Sequence, residues 1–502
     1  MRMRLDAVLG RVTTYRLVLA CLAVLFAASL VLASLGIVQP GGTGALGMLA
    51  SAAVIVVTCT VTSRAFAAAF GAPAHLESTL ITAGLLFFIL PPSLSGTGLA
   101  GLALAGVIAI ASKYLLAVRG RHVLNPAAVG AFAIAFTGLA FGQWWVGTPP
   151  LAPVCFALGL LVLLRTHRLA LGGVYAVVGL LVGTAQFAVF GMPLATAAQS
   201  VLLSSPLVFF AAFMITEPLT LPPRRWQQLA YAALVATLYY VSFSFGPLHN
   251  TPELALLVGN ALAFLAGQRR GIRLEYLGRR QLSPTSWEFD FRPRRPVRFR
   301  AGQFVELTLP HRPADRRGWR RVFSIASAPG DVVRFGIRLP EPASTFKRAL
   351  LDLEPGTAVA ATSVGGDFVL PRDPSRPLLL VAGGIGITPF IGHLEQATAE
   401  GGRDIVVVYA VSSLDDLAYL EPLVEAGCRV VLAGPEHPDP LPPGWTWIGP
   451  RRLTADALLA AVPDAATREV FVSGPPAMVG ALKPALRAAG VRRIRTDVFV
   501  GY

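Results

Sequence analysis

Charge is what this chain lacks most. Only 14% of its 502 residues are Asp, Glu, Lys or Arg, where a soluble domain carries roughly 25%. The deficit is local: residues 1–268 hold 12 basic and 4 acidic residues, and the remainder holds 31 and 24. The first part is too poor in charge for a water-exposed surface and is expected to lie in lipid, whereas the second has an ordinary soluble composition. Cysteine is scarce too. Cys21, Cys59, Cys155 and Cys428 are scattered with no CxxC pair, which excludes a disulfide framework, a zinc finger or a Cys-ligated iron–sulfur cluster within the chain; no metal site is expected. Histidine is too sparse for bis-histidine haem, which usually takes two ligands from one helix: His75, His122, His167 and His249 of the first part never share a span. The net charge of +15 would invite nucleic acid, but it is spread over membrane loops and an otherwise balanced soluble part, so no nucleic-acid partner is expected.

What is present in the first part is apolar sequence. A spanning helix needs about 20 mostly apolar residues. About ten such segments are read, near 16–38, 46–70, 78–95, 98–117, 126–146, 151–165, 169–190, 198–215, 227–245 and 252–267. The 151–165 segment is short enough for a half-span, and the first is too long for a cleaved signal peptide. Basic residues fall in alternate loops: Arg2, Arg4, Arg11 and Arg16 before the first segment, Arg64, then Lys113, Arg119 and Arg121, then Arg165 and Arg168, then Arg224 and Arg225, then Arg269 and Arg270. The intervening loops have no Lys or Arg. The positive-inside rule then predicts an integral protein of the cell membrane, surrounded by lipid, with both chain ends cytoplasmic.

Two polar stretches interrupt the apolar segments, and intramembrane polar groups are functional candidates by default. Arg121-His122-Val123-Leu124-Asn125-Pro126-Ala127-Ala128 opens the fifth segment, and Thr216-Glu217-Pro218-Leu219-Thr220 closes the eighth. Asn125-Pro126 also reads as a plain helix start, and Glu217 as an interfacial charge beside Arg224. The two stretches resemble the NPA and T-[DE]-P motifs shared by the membrane D subunit of the Rnf complex and the B subunit of the sodium-pumping NADH:quinone oxidoreductase. That resemblance spans about residues 70–265 and implies intramembrane electron transfer with FMN attached to a threonine of an S-G-A-T motif. The chain has no S-G-A-T; its nearest pieces contain Thr148 and Thr196. Asn125, Thr148, Thr196 and Glu217 are thus the candidates for a membrane flavin site.

Beyond Arg270 the pattern changes to period-two alternation, as in Trp287-Glu288-Phe289-Asp290-Phe291 and Phe304-Val305-Glu306-Leu307. Closely spaced short strands of this kind predict a small antiparallel barrel over 270–372. After Pro374, apolar runs at 377–381, 404–409 and 469–472 alternate with helical stretches, which predicts an α/β domain with a parallel sheet over 374–502. In Arg321-Val322-Phe323-Ser324, alternation places Arg321 and Phe323 on one face; an Arg can meet phosphate, a ring can stack and a hydroxyl can approach a redox ring. Ser344 reads as the cap of a following helix. Val381-Ala382-Gly383-Gly384-Ile385-Gly386-Ile387-Thr388-Pro389 sits between a strand and a helix, where glycines let backbone approach a pyrophosphate.

These pieces, followed by Ser473-Gly474-Pro475-Pro476-Ala477-Met478 and an aromatic tail ending in Tyr502, resemble the ferredoxin–NADP reductase superfamily over essentially all of 270–502. The resemblance implies that Arg321 meets the FAD pyrophosphate, Phe323 stacks on the isoalloxazine and Ser324 lies near N5. It implies further that Ser344, Thr345 and Lys347 hold the diphosphate, and that Gly383, Gly384, Gly386 and Thr388 cradle NADH or NADPH. Gly474, Pro475, Met478 and Tyr502 would complete the cofactor sites. Ser473 stands where many members have cysteine, so Ser324 and Ser473 are the candidate catalytic residues.

The implied activity is a membrane-bound flavoprotein oxidoreductase, taking electrons from NAD(P)H through FAD to a quinone, a second flavin or a redox partner protein. A transporter with a redox-sensing domain and a haem-type transmembrane reductase are the alternatives. No basic residue lies between Asp404 and Cys428, and Asp415 and Asp416 follow the second strand of the α/β domain; a 2′-phosphate would find no cation there, which favours NADH. The topology is testable by labelling in intact cells. Tags at 43, 148 and 249 are expected to react from outside and tags at 120, 224 and 502 to be protected; an accessible tag at 502 would reverse the orientation.

Overall fold

The computed structural model describes residues 14–71, 74–118, 121–166, 168–268, 271–313, 315, 319–339, 342–361, 364–450 and 453–499. Arg2, Arg4, Arg11, Arg119, His167, Arg269, Arg270, Arg451, Arg452 and Tyr502 lie outside the described residues. The chain divides into two compact units, one of residues 11–269 and one that includes 270–502.

The first unit is helical: α1 (Thr14–Ser34), α2 (Gly44–Ala69), α3 (Leu76–Ile89), α4 (Gly96–Leu115), α5 (Pro126–Ala135), α6 (Ala152–Arg165), α7 (Leu169–Val189), α8 (Leu194–Leu203), α9 (Leu207–Met214), α10 (Arg225–Tyr240) and α11 (Pro252–Ala263). Two short hairpins interrupt them, β1 (Ala117–Val118) with β2 (Arg121–His122) and β3 (Ser244–Phe245) with β4 (Leu248–His249). About ten spans were expected, and the structure corrects that count. Among the described residues, four helices, α1, α2, α4 and α7, are long and apolar enough to cross a membrane, or five spans if α8 and α9, bent by 50°, are taken as one. Hydropathy could not show where the helices break. Pro91-Pro92 follows α3, Asn125-Pro126 opens α5, Ser205-Pro206 separates α8 from α9, and Thr251-Pro252 opens α11. Proline lacks the N–H that an interior helical turn requires. At about 1.5 Å per residue, the 10-residue α5 covers only about half of a hydrocarbon core.

The second unit holds two sheets. β5 (Ile272–Ser283), β6 (Ser286–Pro293), β7 (Phe304–Thr308), β8 (Arg320–Ser324), β9 (Val333–Arg338) and β10 (Ala358–Ala361) form an antiparallel sheet in the order β8-β7-β10-β5-β6-β9. Its two outer strands meet just past β8, where the Ala326 N–H donates to the Arg334 carbonyl at 2.8 Å, so the sheet curls into a barrel. Phe289, Phe291, Phe335 and Leu307 fill it, and α12 (Thr345–Leu351) contributes Phe346 and Leu350.

The other sheet is wholly parallel: β11 (Leu378–Gly383), β12 (Ile405–Ala410), β13 (Arg429–Ala433), β14 (Trp445–Trp447), β15 (Glu469–Gly474) and β16 (Ile494–Val498), ordered β14-β13-β12-β11-β15-β16. Leu378 and Leu380 of β11 join one core cluster, Leu379 and Val381 the opposite one. Burial on both faces explains why these strands read as continuous apolar runs. α13 (Thr388–Ala399) covers one face, and α14 (Pro476–Ala488) the other. Strand order reverses direction between β11 and β15, and such a switch point opens a crevice at the carboxyl ends of the strands.

Asp416, 4% exposed, ties the barrel to this sheet: it accepts from Arg338 Nη2 at 2.8 Å, Thr285 Oγ1 at 2.9 Å and Ser412 Oγ at 3.2 Å. Removing a carboxylate from such a cluster leaves its donors without an acceptor. Asp416→Ala is expected to destabilise the second unit by about 1–3 kcal/mol, read as a lower thermal transition of that unit. Asp415→Ala, at an exposed neighbour, is expected to stay within about 0.5 kcal/mol.

Candidate functional site

Two sites emerge, one in each unit. In the second unit, the crevice at the switch point gathers side chains from both sheets. Ser324 at the end of β8 donates from Oγ to Asp497 Oδ2 at 3.3 Å. Asp497 sits opposite Ser473 in the β15–β16 register. The Ser473 hydroxyl is fully buried and has no hydrogen-bond partner among the described residues. Burial pushes the Asp497 carboxyl up to about 6; Asp367 adds to the rise and the Ser324 hydrogen bond opposes it. Asp497 was not legible as a site residue. It lies in a short strand, and only the fold brings it to Ser324, 173 positions away.

The loop after β11 borders the same crevice. Gly384 has φ +52°, in the left-handed region that favours glycine. A Cβ on Gly386 would sit 2.6 Å from the Ser473 carbonyl oxygen and 2.7 Å from Gly474 Cα, so only glycine allows this loop to lie against the end of β15. Met478 and Pro475 close over Gly383, with Met478 Sδ 2.7 Å from where its Cβ would be. Thr388 is different: its hydroxyl donates to the Ile385 carbonyl at 2.7 Å and it is 1% exposed. The side chain holds the turn, which leaves the glycine backbone as the feature that faces the crevice.

Along the barrel, Arg321, Phe323 and the start of α12 come together. The Arg321 guanidinium is 5.2 Å from the Phe346 ring centroid, and the Phe323 ring is 5.9 Å from the same ring. Arg321 Nη2 donates to both oxygens of Asp315 at 3.1 and 3.2 Å. Here a carboxylate takes the position on the guanidinium fork that a phosphate oxygen would take. The Ser344 hydroxyl accepts from the Lys347 N–H at 3.4 Å and caps α12, while Lys347 Nζ donates to the Arg338 carbonyl at 2.6 Å. His311 Nδ1 lies 2.8 Å from the Leu309 carbonyl, an acceptor, so in a neutral ring Nε2 accepts from Thr345 Oγ1 at 3.0 Å. The Thr345 hydroxyl then accepts from the Asp315 N–H at 3.0 Å. His311 and Asp315 escaped the sequence reading because they stand in a loop without periodicity. Tyr502 lies outside the described residues.

In the loop after β12, Asp415 is exposed, but Asp416 is spent on the barrel contact described above. Asp416 is thereby withdrawn from the acidic pair on which the expectation of NADH over NADPH rests.

The helical unit holds the second site. Glu217 accepts from Asn125 Nδ2 at 2.8 Å and pairs with His122 Nε2 at 2.6 Å. Asn125 also caps α5, its Oδ1 accepting from the Ala128 N–H at 3.0 Å, and its own N–H donates to Asn260 Oδ1 at 2.8 Å. Asn260 Nδ2 donates to the Tyr231 hydroxyl at 2.8 Å. Arg168 donates to the carbonyl of Thr216. Asn125 and Glu217 thus meet, with His122, Asn260 and Tyr231 added; Asn260 could have been flagged as a polar residue in an apolar helix. Thr148 and Thr196 are not hydrogen-bonded to this cluster. The Thr148 carbonyl accepts from Leu151 and Ala152 at the start of α6, and Thr196 is exposed on α8. Among the described residues, Thr148 and Thr196 thus stand on segments other than those that carry Asn125 and Glu217.

With this geometry in place, the comparisons can be read. Residues 380–483 match the family model of the oxidoreductase NAD-binding domain. The chain is 31% identical over 218 residues to the aromatic O-demethylase reductase subunit of an Amycolatopsis species, covering 41% of this chain and 62% of that one. It is 30% identical over 209 residues to the ferredoxin reductase component of 3-ketosteroid-9-alpha-monooxygenase of Mycolicibacterium smegmatis, covering 40% and 56%. Among solved structures, an Amycolatopsis cytochrome P450 reductase aligns with 27% identity and a TM-score of 0.40, over 46% of this chain and 70% of that one. The chain spans about three fifths of the length of the first relative and somewhat less of the second. The family match falls within the second unit and spans the glycine loop after β11 and the end of β15.

Protonation of Asp497 gives this site a pH signature. An ordinary Asp titrates near 3.9, so a folded value of about 6 means that the unfolded chain releases this proton first. The Asp497 contribution to stability is then expected to fall as pH rises from about 4 to about 6 and to be flat above. Asp497→Asn is expected to remove that slope, measured as the pH dependence of the urea midpoint of the second unit; an unchanged slope would show that Asp497 titrates normally.

Proposed function

We propose that the chain is an NAD(P)H-dependent FAD oxidoreductase whose electrons leave to an acceptor at the membrane or to a redox partner protein. The observation that carries the reading is the convergence of Ser324 from the barrel with Ser473 and Asp497 from the parallel sheet, beside the Gly383–Gly386 loop. The residues present fit both cofactors. Arg321 already holds an oxyanion, the Asp315 carboxylate, through Nη2, and the glycine loop leaves backbone open at the switch point. Arg321, Phe323, Ser344, Thr345 and Lys347 would hold FAD, and Gly383, Gly384, Gly386, Gly474 and Pro475 the nicotinamide nucleotide, with NADH favoured. Bound FAD would supply the exchange between two-electron hydride chemistry and single-electron transfer.

What the chain itself contributes is placement and a proton. The Ser324 hydroxyl is held toward Asp497, and a carboxyl titrating at about 6 can take or give a proton near neutral pH. Packing of the loop against β15 leaves little room for water around the buried Ser473 hydroxyl. The relatives are named as reductase components of oxygenase systems, which supports a partner protein as acceptor.

The helical unit is read as a membrane domain resembling the Rnf D and sodium-pumping B subunits, with both chain ends cytoplasmic. The buried His122–Asn125–Glu217–Asn260–Tyr231 cluster would be its place for an acceptor, a quinone or an FMN. The apolar helices and the paired NPA and T-E-P stretches support this reading.

The cofactor assignment is tested by Arg321→Ala in the full-length protein. The wild type is expected to purify with FAD, and the variant to bind it at least tenfold more weakly, about 1.4 kcal/mol or more for a lost charge-assisted contact. FAD retained at unchanged affinity would remove Arg321 from the site.

A further inference from the structure

Away from the crevice, the reductase unit has a second concave site for which neither cofactor accounts. A cleft of about 420 Å³ is lined by Arg300, Arg372, Gln396, Glu400 and Arg403. It lies at the far end of α13 from the glycine loop, and a 12-residue helix separates the two by about 18 Å. Arg403 lies two residues before β12, so the cleft sits at the amino-terminal edge of the parallel sheet, opposite the switch-point crevice.

Its charge is not balanced. Glu400 is the acidic residue lining it, and both its oxygens are engaged, one by Gln396 Nε2 at 2.7 Å and one by Arg403 Nη2 at 2.7 Å. Asp373 is near, but its carboxylate is taken by Ser375 and Arg376. Against this stand three guanidiniums. The Arg403 side chain is only 2% exposed; Nη1 donates to the Asp373 carbonyl at 3.0 Å, and Nε is buried with no partner among the described residues. Arg300 donates one nitrogen to the Leu370 carbonyl at 2.7 Å. Its proton is held less tightly than usual, first because of burial and then because of Arg372 and Arg495 nearby. Arg372 is exposed and makes no hydrogen bond or ion pair among the described residues. Arg300 also ends a run of exposed arginines with Arg292, Arg294, Arg295 and Arg298, which extends the positive field around the cleft.

Converging arginines with spare donors and too few carboxylates are complementary to an anion with several oxygens, and planar guanidinium forks match phosphate. We propose that this cleft binds a phosphate group, carried by a soluble phosphate or by an anionic lipid headgroup. A bound phosphate would accept from Arg300 and Arg372, offset their mutual repulsion, and join α13 to the 371–374 loop.

The test uses the full-length protein with its cofactors, wild type and Arg372→Gln, an exposed change that should leave the fold and the flavin untouched. Inorganic phosphate is titrated against chloride at matched ionic strength, and thermal stability and hydrogen exchange at 371–374 are followed. The expected result is a saturable phosphate effect that is about tenfold weaker in Arg372→Gln, the loss of one charged contact. Hydrogen exchange is repeated in phosphatidylglycerol and phosphatidylcholine nanodiscs. Protection of 371–374 in phosphatidylglycerol alone, lost in Arg372→Gln and not increased by free phosphate, would assign the site to a headgroup; protection by free phosphate in either disc would assign it to a soluble ligand. If phosphate acts no differently from chloride and neither disc protects the loop, or if Arg372→Gln changes nothing, the site does not exist.

Discussion

The crevice in which Ser324 meets Asp497 depends on side-chain contacts made elsewhere, among them Glu395 of α13 accepting from the Ala328 N–H and Arg334, and Asp416. A barrel and a parallel sheet share few backbone hydrogen bonds, so their relative placement must be fixed by side chains. Asp416 does this at the end of the turn after β12, where one buried carboxylate takes donors from Arg338 and Thr285 of the barrel side and from Ser412 of its own loop. Tyr419, buried and in the left-handed region at φ +62°, packs beneath Gly336 of β9 on the same side. With the two sheets locked there, β8 presents Ser324 to β16, and the glycine loop of β11 closes on β15.

Chemistry follows from that register. The switch point of a parallel sheet leaves strand ends uncovered, and here the gap is flanked by a loop that has no side chains and by a strand end whose hydroxyl is buried. The carboxyl of Asp497 is destabilised as an anion by burial, and a single hydroxyl from the barrel partly compensates. The Ser324–Asp497 hydrogen bond joins the barrel to the parallel sheet at the site itself. The arrangement thus links the interface to the site: loosening the Asp416 contact would be felt at Asp497 although the two lie on different strands.

Much of this was legible in the sequence, for physical reasons that also explain the rest. Period-two alternation marked the barrel because one face of each strand is wet, and continuous apolar runs marked the parallel strands because both faces are dry. Glycines at 383, 384 and 386 stood out because backbone has to come close there. Asp497, His311 and Asp315 were silent, since each acquires its role only from long-range pairing. Asp416 was read as a charge facing the nucleotide, and the fold turns it inward to the barrel. In the helical unit, composition identified the apolar segments but not the breaks at Pro91-Pro92, Asn125-Pro126 and Ser205-Pro206. Hydropathy averages over such interruptions, whereas helix length does not. The meeting of His122, Asn125 and Glu217 was half visible, in two motifs whose proximity required the fold.

The central claim is that nucleotide and flavin chemistry takes place in the crevice between the two sheets. The most direct measurement is the absorption spectrum of the purified full-length protein, recorded before and after acid precipitation and again after anaerobic addition of NADH. The account predicts an oxidised flavin spectrum, release of FAD into the acid supernatant, and bleaching by NADH. A protein that carries no flavin after purification and binds none when FAD is added, or one whose bound flavin neither NADH nor NADPH reduces, would contradict it.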